Sequence, residues 1–265
     1  MTPTHVRSIW ISDFHLGTRH SRADELLDFL RSYESEYLFL VGDIIDGWAL
    51  SRSWQWPQSH SDVIQKILRK ARKGTSVAYI PGNHDAFARQ YAGLRFGRVT
   101  VRKSARHTLL DGRTVLIVHG DEFDGIIRYA QWLQKLGAVA YGFALALNHF
   151  VNMIRGIMHR PYWSLSAYLK QRTKKALAYI DDFEQLVAEK AHAAGVEGVV
   201  CGHIHHADVR TMGTVTYMNC GDWVESCTAL VERLDGTVEL VRWLDVGFSG
   251  DGQSTRRQPE MTVNA

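Results

Sequence analysis

A chain of 265 residues with 45% hydrophobic content can bury a substantial core, and its length suits one large domain carrying an insertion. Its formal net charge of +3 is too small for the polycation that nucleic-acid binders often are, so anion recognition falls to local patches. Cys201, Cys220 and Cys227 make no CxxC pair or disulfide framework, which suits a reducing compartment, and the N-terminus shows no basic region followed by an apolar run, so a cytoplasmic protein is expected.

In chain order, strand-like segments are expected near residues 6–12, 38–42, 77–81, 98–102, 105–110 and 114–119, with helices at about 21–34 and 61–73. A long helical block follows from about 126 to 193. Strands resume near 198–202, 214–219, 227–233 and 237–243, the last two joined by Asp235-Gly236, a hairpin signal. The composition after Asp245 predicts a disordered tail over 249–265. The first half reads as βαβ winding and the last part as an antiparallel meander. Two sheets packed face to face with helices outside satisfy both, in an α/β domain over 1–248 with an insertion at about 125–180.

Five polar motifs end five of the apolar runs: Asp13-Phe14-His15, Gly42-Asp43 with Asp46, Gly82-Asn83-His84-Asp85, His119-Gly120-Asp121 and Gly202-His203-Ile204-His205. Apolar, β-branched runs such as Val115–Val118 read as buried strands, and polar groups recurring at strand ends lie on loops at one sheet edge. Those loops supply seven oxygen or nitrogen ligands, enough for a two-metal site. A mixed carboxylate and imidazole set suits transition metals, with Mn²⁺ expected first and Fe²⁺ or Zn²⁺ fitting also. Two ions about 3.5–4 Å apart can share one carboxylate and hold a hydroxide for in-line attack on phosphorus. Asp46 and Asp121 read as residues that orient ligands or shape loops. Isolated histidines such as His107, and His206 beside the last motif, read as non-ligands.

The order of motifs resembles the calcineurin-like metallophosphoesterases, whose pattern is D-x-H, G-D-x-x-D, G-N-H-D/E, H and G-H-x-H. The resemblance implies a four-layer α-β-β-α sandwich with a helical insertion acting as a lid. It implies one ion on Asp13, His15, Asp43 and His205, and a second on Asp43, Asn83, His119 and His203, with Asp43 shared. His84 takes the place of the family's catalytic histidine, with Asp85 expected to orient it and Asn83 expected to meet substrate as well.

Within that superfamily, the segment Ile11–Gly17, the spacing to Val41–Asp46, the His119-Gly120-Asp121 element and the helical insertion are similar to UDP-2,3-diacylglucosamine diphosphatases over about residues 7–245. That likeness implies hydrolysis of a UDP-linked lipid to UMP and a lipid monosaccharide phosphate, in lipid A biosynthesis on the inner face of the inner membrane. The better-studied members carry Arg where this chain has His84.

No formally charged residue lies between Lys135 and Arg155, in a stretch rich in aromatics. A membrane crossing there would separate His119 from His203, so the segment is expected to meet acyl chains or the membrane interface, or to pack against its neighbour or a homodimer partner. The basic run Lys170–Lys175 follows it, and Arg172, Lys174 and Lys175 are expected to meet the pyrophosphate or sugar phosphate. The rival readings are another phosphoesterase of this fold, acting on a phosphomonoester, phosphodiester or phospholipid head group, and, disfavoured by the near-neutral charge, a nuclease. A non-enzymatic scaffold should have lost ligands.

Overall fold

The computed structural model describes residues 2–125 and 166–246, with 166–178 as backbone only. The chain divides into two compact units, Met1–Asp121 with Val187–Ala265, and Glu122–Leu186.

The first unit is built on two mixed sheets. In the larger, strands β1 (Thr4–Ile11), β2 (Tyr33–Val41), β3 (Ser76–Ile80) and β5 (Val99–Val101) run parallel. It is extended antiparallel by β11 (Thr228–Glu232) and β12 (Val238–Arg242) at one side and by β4 (Arg95–Phe96) at the other. In the smaller sheet, β7 (Thr114–Ile117), β8 (Gly198–Cys201) and β10 (Val215–Asn219) run parallel, flanked antiparallel by β6 (Ala105–Thr108) and β9 (Asp208–Met212).

Alternation along the central strands explains the layers. Ile9 and Ile11 on β1, Leu38 and Leu40 on β2, and Ala229 and Val231 on β11 face the helices α1 (Ala23–Ser32) and α3 (Gln58–Arg72). Their neighbours Trp10, Phe39, Val41 and Leu230 point the other way and meet Val115, Ile117, Val200 and Met218 of the smaller sheet. Strands buried on both faces must be apolar throughout, which is why they read as runs rather than as alternating patterns. On α3, Val63, Ile67 and Ala71 recur every four residues and face the core. Helix α4 (Ser166–Ala193) closes with Val187 and Ala191 fully buried, and Arg106 of β6 donates to the carbonyl of Ala194 at 3.0 Å, which sets the end of α4 beside the smaller sheet. The order α-β-β-α follows.

Four local readings are revised. Strand β2 begins directly after α1 at Tyr33, so the expected helix over 21–34 ends early. Its first half carries Glu34, Ser35 and Glu36 without an apolar run, yet it pairs with β1 from Thr4↔Tyr33 onwards. Edge strands β4 and β9 lack apolar runs for the same reason. The short helix α2 (Gly47–Arg52) is nucleated by Asp46, whose side chain accepts from Ala49 N at 2.7 Å. The Asp235-Gly236 hairpin forms as expected, with Gly236 at φ +90°.

In the second unit, Phe123 packs edge-on against Phe183 and the Tyr179 hydroxyl donates to Asp124 at 3.1 Å. The uncharged segment 136–154 and the tail 249–265 lie outside the described residues, as do the side chains of Arg172, Lys174 and Lys175. Among the described residues no helix is long and apolar enough to cross a membrane.

Candidate metal centre

The five motifs leave the C-terminal ends of β1, β2, β3, β7 and β8, which puts them at one edge of the two facing sheets. To bring the side chains together there, the backbone adopts left-handed conformations. Among the described residues, six non-glycines have positive φ, and five of them are Asp13, His15, Asp43, His203 and His205, at +48° to +73°. Each such residue costs on the order of 1–3 kcal/mol and persists only where its surroundings hold it. They do so here: Asp13 N donates to Gly42 O at 3.0 Å, His15 N to Asp43 O at 2.9 Å, and His203 N to Asp13 Oδ2 at 3.1 Å. Packing is close enough to require glycine at three motif positions, Gly42, Gly82 and Gly202, the last because a Cβ there would meet Asp13 Oδ2 at 2.5 Å. A Cβ on Gly42, at φ +83°, would fall on the His119 ring, and one on Gly82 would fall between Asp43 Oδ1 and His119 Nε2.

Two clusters result. In the first, His205 Nε2 lies 3.3 Å from Asp13 Oδ1 and 3.4 Å from His15 Nε2. In the second, which also takes in His203, His119 Nε2 lies 3.5 Å from Asp43 Oδ2 and 3.3 Å from Asn83 Oδ1. Asp43 Oδ2 is also 3.9 Å from His15 Nε2, so it faces both clusters. The ligand-type atoms in Asp13, His15 and His205, and likewise in Asp43, His119 and His203, lie within 4.8 Å of one another.

The donor set fits divalent cations on two grounds. Asp13 Oδ1 is buried and makes no well-aligned hydrogen bond, with only the His205 ring nitrogen beside it at 3.3 Å, an arrangement that is costly for a carboxylate unless a cation satisfies it. The local field also favours positive charge. Burial pushes the His119 imidazole down, but the Asp43 and Asp13 carboxylates outweigh it and raise it to about 10. Burial likewise opposes ionisation of Asp43, yet His119, the His84 backbone N–H and His15 hold its carboxyl far below the usual range. The carboxylates that draw a proton onto His119 would draw a cation in the same way, and a metal ion bound there must displace that proton.

His84 is seated by a neighbour other than the one expected. Its Nδ1 lies 2.8 Å from Asp46 Oδ2, and the same oxygen is 3.1 Å from Nδ1 of His15. The rings of His15 and His84 meet edge-on at 4.6 Å, and half-exposed Trp48 lies 4.2 Å from His84 on the other side. The expectation that Asp85 orients His84 is corrected. Asp85 accepts instead from Tyr79 Oη at 2.5 Å and from the backbone N–H of Gly82, Ile44 and Asp43 at 2.5, 2.8 and 3.3 Å, tying the β3 loop to the β2 loop. A carboxylate surrounded by backbone donors from two loops has no remaining reach to the ring. Burial raises its carboxyl above the ordinary range despite those bonds.

Sequence reasoning missed a sixth strand-end segment, Gly221-Asp222-Trp223 after β10. Trp223 N donates to Asp13 O at 3.0 Å, Ser12 Oγ to Gly221 O at 2.9 Å, and Asp222 Oδ1 accepts from Val224 N and Glu225 N at 2.8 and 2.5 Å. Asn219 Nδ2 holds Gly202 O at 3.0 Å, directly before His203. The signal was available, since an apolar run followed by Gly-Asp is the pattern of the β2 motif. Beside the first cluster opens a groove of about 720 Å³ lined by His15, Asp46 and His205 together with Arg19, His20 and Arg22, none of them singled out by the motifs except the first three. His107 is buried away from this edge, on Ser8 and Glu232.

The sequence profile of the Calcineurin-like phosphoesterase family matches residues 6–207. The chain is 28% identical to the UDP-2,3-diacylglucosamine hydrolase of Aliivibrio fischeri (strain MJ11) over 229 residues, covering 81% of this chain and 90% of that one. It is 26% identical to the enzyme of the same name from Neisseria gonorrhoeae (strain ATCC 700825 / FA 1090) over 250 residues, covering 86% and 94%. A solved phosphoesterase from E. coli, Yfce, aligns over 89% of this chain and 98% of its own at 15% identity, with a TM-score of 0.41. With its motifs at one sheet edge and the profile spanning all five, this chain belongs to the calcineurin-like phosphoesterase family, a family of metal-dependent phosphoesterases.

Proposed function

We propose that this chain hydrolyses the pyrophosphate of UDP-2,3-diacylglucosamine to UMP and the lipid monosaccharide phosphate, using two divalent transition-metal ions, Mn²⁺ in the first instance. The observation that carries the reaction type is the sharing of Asp43 between two clusters of His and carboxylate groups. The substrate is supported by near-full-length relatives named for it.

Asp13, His15, Asp43 and His205 would hold one ion, and Asp43, Asn83, His119 and His203 the other. Bound there, the pair supplies Lewis acidity towards the phosphoryl oxygens and lowers the pKa of water. The protein's own groups do the rest. Asp46 accepts from Nδ1 of His84, which leaves Nε2 as the ring atom that can serve the phosphoryl or leaving-group oxygen, donating a proton there when the ring is the imidazolium. Asn83 turns Oδ1 towards His119, leaving its amide N–H groups for a phosphoryl oxygen. Arg172, Lys174 and Lys175 on α4 would steady the pyrophosphate or sugar phosphate, and the uncharged stretch 136–154 would take the acyl chains at the cytoplasmic face of the inner membrane.

A second reading keeps the reaction and changes the substrate to another phosphoester. It is favoured by the His84–Asp46 pair, which stands where the better-studied diphosphatases carry Arg. Incubating the purified protein and Mn²⁺ with UDP-2,3-diacylglucosamine, and in parallel with soluble phosphomonoesters, cyclic nucleotides and phosphodiesters, separates the two. Release of UMP that stops on chelation supports the first; turnover confined to the soluble panel sinks it and selects the second.

A further inference from the structure

We propose that Arg89 is a positioning residue for the half-site of Asp43, Asn83, His119 and His203, a strut that fixes the loop of Asn83 against the loop of His119. The inference rests on the two-ion reading above. Arg89 lies in the short 3-10 helix Ala86–Tyr91 that follows the Gly82–Asp85 motif, and its side chain reaches back to Pro81 before that motif. Its Nε and Nη2 donate to the carbonyl of Pro81 at 3.3 and 3.2 Å, and Nη2 also donates to Asp121 Oδ2 at 2.6 Å. Pro81 stands two residues before Asn83, and Asp121 two residues after His119. One guanidinium thus ties together the two loops whose Oδ1 and Nε2 lie 3.3 Å apart in the half-site.

Two features make this tie more than a surface ion pair. Proline has no N–H, so at Pro81 the carbonyl is the one backbone group that can be anchored, and the Gly82 N–H that follows is already held by Asp85 of the same loop. Tolerance between the loops is also small, because even a methyl group on Gly82 would meet His119 Nε2 at 2.5 Å. A ligand constellation this close depends on the groups that hold its loops, and losing such a partner typically weakens metal binding by roughly 10–100-fold. As an ion pair, by contrast, the contact contributes little to folding, since the Arg89 side chain is 39% exposed. The planar fork matters too: lysine offers no fixed pair of donors able to serve a carbonyl and a carboxylate at once.

The test is a Mn²⁺ titration of the full-length protein by calorimetry, with melting temperature measured in parallel. Wild type should take up two ions. Arg89→Met should weaken one of them roughly 10–100-fold and leave the other unchanged, with little loss of metal-free melting temperature; Arg89→Lys should fall between. Asp121→Asn should reproduce the defect, and combining Arg89→Met with Asn83→Ala should add little to Asn83→Ala alone, because both act on the same ion. Unchanged affinities for both ions in Arg89→Met would overturn the strut while leaving the two-ion reading intact. So would equal weakening of both with a fall in melting temperature, which marks general destabilisation. Uptake of a single ion by wild type would overturn the two-ion reading itself, and the strut with it.

Discussion

Two clusters of histidine and carboxylate, one buried between the sheets of this protein and one at their loop edge, separate architecture from chemistry by their contrast. In one, Ser8 of β1, His107 of β6 and Glu232 of β11 join the larger sheet to the smaller. Ser8 Oγ donates to Glu232 Oε2 at 2.6 Å and lies 2.9 Å from His107 Nε2, while Leu110 N donates to Glu232 Oε1 at 2.7 Å and Arg7 approaches at 3.5 Å. The carboxylate is satisfied and the residues sit on regular strands. In the other, at the loop edge, Asp13 Oδ1 has no well-aligned donor, only the His205 ring at 3.3 Å, and five residues are held at positive φ. Similar side chains therefore mean different things. A polar cluster that satisfies itself ties layers together, whereas one left unsatisfied by strained backbone is set up for a ligand.

Substitutions can break this contrast from either side. The largest effect should come from Asp43→Asn, since Asp43 faces both clusters. Turnover should fall by at least about 10³-fold, beyond the 10²–10³ typical of losing one transition-state donor, with metal uptake impaired in calorimetry. His84→Ala should slow turnover by roughly 10²–10⁴-fold while metal content by elemental analysis stays at the wild-type level; loss of an ion would instead make His84 a ligand. Asp46→Asn should come next, at about 10–100-fold, because one oxygen orients both His15 and His84. Its effect should shrink sharply when measured on top of His84→Ala.

Glu232→Gln should do least to catalysis and act on folding instead, lowering stability by about 1–3 kcal/mol in chemical denaturation with turnover unchanged at a permissive temperature. Its pH dependence has a definite sign. Burial opposes ionisation of Glu232, but the bonds from His107, Ser8 and Leu110 and the nearby Arg7 outweigh it and depress its carboxyl below the ordinary range. Its contribution is therefore present above the unfolded carboxylate pKa and is lost as pH falls through the folded one, so the gap between wild type and Glu232→Gln should close in acid. A gap that widened in acid would contradict the assignment.

Much of the fold was legible because strands buried on both faces must be written in apolar runs, and the motifs announce themselves where those runs stop. Strands β4 and β9 escaped because edge strands need no such run, and their pairing partners supply the register. At the site, residue types and order identified which side chains converge, but hydrogen-bond partners depend on tertiary geometry. Asp85, adjacent to His84 in sequence, bonds backbone of two loops, while Asp46, thirty-eight positions away, holds the ring. The left-handed backbone of Asp13, His15 and Asp43 was likewise invisible, since Asp and His enter that region only when tertiary bonds hold them there. Arg89 carried no motif at all.

The central claim is that the loop-edge cluster holds two ions through a shared Asp43. Anomalous diffraction at the manganese edge, from crystals grown with Mn²⁺, tests it directly. Two peaks are predicted, one among Asp13, His15, Asp43 and His205 and the other among Asp43, Asn83, His119 and His203, with none at Ser8, His107 and Glu232. A single peak, or a pair that does not share Asp43, would contradict the account.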